Sequence, residues 1–171
     1  MTREIDEQIT KYLTDAHAIE EQALAQLRTA PDIAGDEEIA SAFRGHLRET
    51  EEHEATVRGL LEARGAKPSR VKDTVMWVGG KGFLLFARLQ PDTPGKLLAH
   101  AYSYEALELA SYELLHEVAQ RGNEIDVSLA ATRIRNDERA MLDRLGGLFD
   151  AGVEASLREL QPDDLTEQLC K

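Results

Sequence analysis

Cysteine, aromatic residues, positive charge and long uncharged apolar runs are all scarce in this chain, and each shortage closes a class of function. The single cysteine, Cys170, leaves no disulfide framework and no cysteine-built zinc site. Residues 1–6 (MTREID) carry no apolar run of the signal-peptide kind. The nearest thing to a membrane span, residues 75–87, is too short and is broken by Gly79, Gly80, Lys81 and Gly82. Twenty Lys and Arg against 32 Asp and Glu give a formal charge of −12, which argues against a nucleic-acid backbone or an anionic membrane as partner. The expectation is a cytoplasmic protein. Aromatics make up 5% of the chain, and stretches rich in Ala, Leu, Glu and Arg favour helix over sheet. With 42% hydrophobic and 30% charged residues, 171 residues suit one folded domain, spanning 1–171, with a sizeable core.

Turn residues divide the chain into four long helices. The first is predicted from about residue 2 to 28, closed by Thr29, Ala30 and Pro31. A second starts near Asp36, with Glu37 and Glu38 at the positive end of its dipole, and ends at Arg64 with Gly65 as its cap. The third starts near Thr93 and Pro94 and ends at Arg121 and Gly122. A fourth opens at Asn123 and runs to Gly147 or somewhat beyond, and a polar tail begins between about 158 and Gln161. Between the second and third helices, residues 67–96 are too many for an unstructured loop. Their apolar content, including Trp77, Phe83, Leu84 and Phe86, predicts a partly helical crossover. The competing reading is a separate hairpin packed on the bundle. An all-α bundle with one long crossover between its middle helices is the ferritin-like topology.

Each helix interrupts its own apolar stripe with ionisable residues. On a wheel of 100° per residue, His17 and Glu20 fall among Ile9, Leu13, Leu24 and Leu27. His46, Glu49 and His53 fall in or at the edge of the stripe of Ile39, Ala42, Val57 and Leu60. Glu105 and Glu108 are bracketed by Leu98, Tyr102, Tyr112, Leu115 and Ala119. Glu138, with Asp137 at the edge, lies among Val127, Ile134, Met141 and Leu145. A buried carboxylate is costly unless paired or coordinated, and four such interruptions at matching heights can meet. Cations relieve the mutual repulsion of such a cluster, and oxygen-rich ligands with some imidazole suit iron or manganese better than structural zinc. Glu51, Glu52, Glu54, His100 and Glu113 instead fit a solvated surface.

Residues 15–22 (DAHAIEEQ), 46–53 (HLRETEEH) and 105–115 (EALELASYELL) carry a resemblance. Their order and spacing resemble the YciE/YciF-type bacterial stress proteins, a branch of the ferritin-like superfamily, over roughly residues 5–148. The resemblance implies a homodimer, a link to stress responses and a dinuclear metal centre between the helices. It implies Glu20, Glu49, His53, Glu105 with Glu108, and Glu138 as metal ligands. Two departures from the superfamily pattern stand out: Thr50 lies three before His53, and Met141 three after Glu138, where Glu-x-x-His pairs are usual. His17 or His46 is then the substitute imidazole.

The leading expectation is therefore a stress-related protein with a dinuclear iron or manganese centre, acting on oxygen or peroxide if it has chemistry. The rival is a metal-free structural dimer whose polar core fixes helix register and whose apolar crossover binds a partner.

Overall fold

The computed structural model describes residues 2–66 and 93–160, and every regular element among them is helical. Four long helices run over Arg3–Leu27 (α1), Glu37–Ala63 (α2), Thr93–Gly122 (α3) and Ile125–Gly146 (α4). A shorter helix, Phe149–Leu160 (α5), follows, and a 3-10 turn at Ala30–Ile33 joins α1 to α2. The predicted crossover core, with Trp77, Phe83, Leu84 and Phe86, and the tail beyond Leu160 lie outside the described residues.

Caps set the helix ends. Thr2 accepts a hydrogen bond from the Ile5 N–H, and the Asp36 carboxylate accepts from the Glu38 and Ile39 N–H groups at 2.9 and 3.3 Å. Gly65 closes α2 in the left-handed region at φ 67°. Asn123 does the same for α3 at φ 56°, so it ends that helix rather than opening the next.

Cross-helix contacts fix the directions. Arg64 at the end of α2 meets Asp6 at the start of α1, so these two run antiparallel. His116 against Ser128 and Thr132 makes α3 and α4 antiparallel as well. Tyr112 reaches Glu20 while His100 reaches Gln26, which sets α3 antiparallel to α1. It follows that α2 and α3 run parallel. A helix of this size is about 40 Å long, so the end of α2 and the start of α3 lie at opposite ends of the bundle, as they do in the ferritin-like topology.

Two apolar clusters fill the interior. One holds Leu27, Ile39, Phe43, Leu97, Leu98 and Leu145, and the other Ile9, Leu13, Val57, Leu61, Leu115 and Ile134. Between their positions along the helices sits a layer of buried polar residues: Glu20, His46, Thr50, His53, Glu105, Glu108 and Glu138. Two details depart from the sequence reading. Tyr102 is 36% exposed, packing on Phe149, while Tyr104 takes the inward place. Past Gly147 the chain turns and α5 folds back on α3, where Gly152 and Gly95 allow close approach and Ser156 accepts from the Gly95 N–H at 2.8 Å.

Candidate metal centre

The polar layer is built from all four long helices. Residues 46, 50, 53 and 57 repeat every three or four positions, so α2 presents His46, Thr50, His53 and Val57 along one inward line. Glu105 and Glu108 share a face of α3, Glu20 comes from α1, and Glu138 from α4. Glu20, His46, His53, Glu105, Glu108 and Glu138 are each no more than 3% exposed.

Glu138 sits between the two imidazoles. Its Oε1 lies 2.9 Å from His53 Nδ1 and its Oε2 3.3 Å from His46 Nε2. His46 Nε2 is also 3.1 Å from Glu105 Oε2, and His53 Nδ1 is 3.9 Å from Glu20 Oε1. The opposite ring nitrogens are anchored from outside. His46 Nδ1 pairs with Glu49 at 3.0 Å and His53 Nε2 with Asp137 at 3.2 Å. Tyr112 donates its hydroxyl proton to Glu20 Oε1.

Despite these short distances, the inward atoms are not satisfied. Glu20 Oε2, His46 Nε2, His53 Nδ1, Glu105 Oε2 and all four oxygens of Glu108 and Glu138 lack a well-aligned hydrogen-bond partner among the described residues. These donors are gathered from four helices without closing a hydrogen-bond network, which makes them candidates to hold a cation. Two overlapping groups result, His46 with Glu105, Glu108 and Glu138, and His53 with Glu20 and Glu138, and in each the donor atoms lie within 4.8 Å of one another.

Without a cation, protons must hold this layer together. Burial, with the charge of Glu138 adding to it, pushes Glu20 up to about 8 against the pull of His53. Burial likewise pushes Glu105 up to about 7 although His46 opposes it. Glu108 rises well above the carboxylate range through burial and the charges of Glu138, Glu105 and Glu20. For Glu138 burial is outweighed by the His46 and His53 contacts, which hold it down to about 2. Burial alone would lower His46 and His53, but their carboxylate neighbours raise both.

Six of the eight sequence-predicted residues thus converge, and two do not. Glu49 has its side chain 55% exposed and touches the layer only through His46, because Thr50 occupies the inward place on that turn. His17 turns into the seam between α1 and α2, where its Nε2 pairs with Glu54 at 3.0 Å. Glu54, read from sequence as solvated, is therefore buried, and His100 is half-buried against Gln26. Tyr112 and Asp137 are the supporting residues of the layer, and Gln26 is buried beside His100. Tyr112 and Asp137 already stood on or beside the stripe; Gln26 gave no signal.

Comparison with known proteins agrees with this architecture. A protein of Xanthomonas campestris is 25% identical, with a TM-score of 0.75 over 92% of this chain and 99% of its own. The E. coli stress protein YciF is 22% identical, with a TM-score of 0.74 over 90% of this chain and 99% of its own. A Desulfovibrio desulfuricans bacterioferritin, whose structure describes a diiron site in different catalytic states, is 13% identical, with a TM-score of 0.65 over 91% of this chain and 88% of its own. No curated protein matches the chain. The family model described as a domain of unknown function, DUF892, matches residues 4–158, and the chain belongs to that family, with the ferritin-like fold that YciF shares.

Proposed function

We propose that the polar layer is a dinuclear metal centre taking two iron or manganese ions. The observation that carries this reading is the set of unpartnered, fully buried donor atoms from four helices. Charge supports it. Glu20, Glu105, Glu108 and Glu138 carry four negative charges when ionised, which two divalent cations balance with both histidines neutral.

One position is held by His46, Glu105 and Glu108, the other by His53 and Glu20, and Glu138 belongs to both. Glu49 and Asp137 orient the imidazoles by holding their outer nitrogens, and Tyr112 fixes the Glu20 carboxylate. Such ions supply redox chemistry toward oxygen or peroxide when bound. The protein's share is to keep that chemistry dry between two apolar clusters and to accept protons on Glu20 and Glu105 when the charge balance changes. The likeness to YciF favours a stress-related role, and the bacterioferritin fold favours iron.

The test is reconstitution of metal-free protein with Fe(II) or Mn(II) under anaerobic conditions, followed by desalting and elemental analysis. Two ions per chain are expected. A protein that retains none is the metal-free structural module instead.

A further inference from the structure

A second feature touches the centre from the side. Between α1 and α3 lies a cavity of about 20 Å³, bounded by Ala23, Gln26, Leu27, Phe43, His100 and Ala101 among others, with Tyr104 and Glu105 in its wall. That is room for one molecule of water size or a little more. Glu105 is common to this cavity and to the ligand cluster, so whatever sits here is next to the centre. On the outer side the cavity ends at half-buried His100 and Ala101, which puts it close to solvent.

The lining is mostly apolar, yet besides Glu105, whose Oε2 belongs to the polar layer, a second polar group in it lacks a partner. Gln26 is 8% exposed and accepts from His100 Nε2 through its Oε1 at 3.0 Å, leaving its Nε2 buried with no hydrogen-bond partner among the described residues. Turning the amide over does not cure this. One end of the amide faces His100 whichever atom is placed there, and the other end stays unsatisfied. The neighbouring Tyr104 hydroxyl spends its proton on the Ile19 carbonyl at 3.0 Å, so toward the cavity it has only lone pairs to offer.

We propose that this cavity is a binding place for one small hydroxylic molecule, water at rest and hydrogen peroxide as the species delivered to the Glu105 edge of the centre. A molecule with an O–H and a lone pair at each end accepts a hydrogen bond from the Gln26 amide and donates one to the Glu105 carboxylate or the Tyr104 oxygen. Dioxygen, a poor acceptor, leaves the amide unsatisfied, and a branched alkyl peroxide is too large for the space. The proposal deepens the metal-centre reading in that it names the species for the same site, but binding in the cavity does not itself require the metal.

The experiment uses full-length protein with 13C-labelled alanine methyls, both metal-free and loaded with redox-inert zinc, titrated with hydrogen peroxide. The Ala23, Ala30 and Ala101 methyls, which line the cavity, are expected to shift saturably, while those of Ala16 and Ala131 in the other cluster stay fixed. tert-Butyl hydroperoxide is expected to shift none of them. Ala101→Val fills the space and Gln26→Leu removes the donor; each is expected to weaken peroxide binding about tenfold or more. Should Ala101→Val fail to fold, Gln26→Leu carries the same comparison. Shifts spread evenly over all alanines, or saturable shifts untouched by both substitutions, overturn the proposal. Saturable cavity shifts in a protein that takes up no metal leave the cavity standing and remove the metal centre, so the two failures are distinct.

Discussion

At the scale of single residues, Glu138 is the side chain shared by the two proposed metal positions, since its two oxygens face His53 and His46 at 2.9 and 3.3 Å. Glu138→Gln keeps the shape and removes the shared charge. It is expected to weaken binding of Fe(II) or Mn(II) by about a hundredfold or more in a chelator competition, whereas Glu49→Gln, which only holds His46 from outside, costs about tenfold. Glu108 sits among like charges, so Glu108→Gln is expected to weaken metal binding yet leave the melting temperature of the chelated protein unchanged or higher. The inward carboxylates were legible in sequence because each falls well inside an apolar arc. Glu49 was not, because it stands 40° from His53 and 60° from His46 on the wheel, where a long side chain can swing to water. Glu54 and His17 pair with each other across two helices, and no pattern within one helix reveals such a pair.

The helices themselves were readable from their caps and breakers, and the observed ends of α1 to α3 lie within a residue or two of the predicted ones. Asp36→Ala removes acceptance from two N–H groups and is expected to cost about 1 kcal/mol in a urea titration. Gly65→Ala, at φ 67°, is expected to cost about 1–2 kcal/mol for a side chain held in the left-handed region. Neither position touches the polar layer, so metal stoichiometry is expected to stay at the wild-type value in both. The separate helix α5 was less legible. Its break at Gly147 is a weak local signal, and what places it is the approach of Gly152 to Leu98 and Gly95 on α3, a tertiary contact. Tyr102 and Tyr104 were exchanged for a similar reason. Both are tyrosines two residues apart at the edge of an arc, and Phe149 of α5 draws Tyr102 outward.

For the whole molecule, the proposed centre makes protons and metal ions competitors for one layer, and the protons set how the stability of the metal-free chain depends on pH. Glu20 and Glu105 rise from 4.5 to about 8 and about 7 in the folded chain, so the folded state holds protons that the unfolded state has released. Their contribution is therefore complete below the ordinary carboxylate value and is lost as pH climbs through about 7 and 8. His46 and His53, also raised, act in the same direction, while Glu138, held at about 2, loses its contribution only in strong acid. The chelated protein is accordingly expected to melt at falling temperatures from about pH 5 to pH 8. With Mn(II) present the trend is expected to reverse, because ligands bind a metal deprotonated and each ion bound releases protons. The most direct measurement is an anaerobic Fe(II) titration of the metal-free protein beside Glu138→Gln, read as ions bound per chain and protons released. Two ions per chain with proton release, and loss of both in Glu138→Gln, is the predicted result; no uptake, or uptake that Glu138→Gln leaves unchanged, contradicts a shared centre between the four helices.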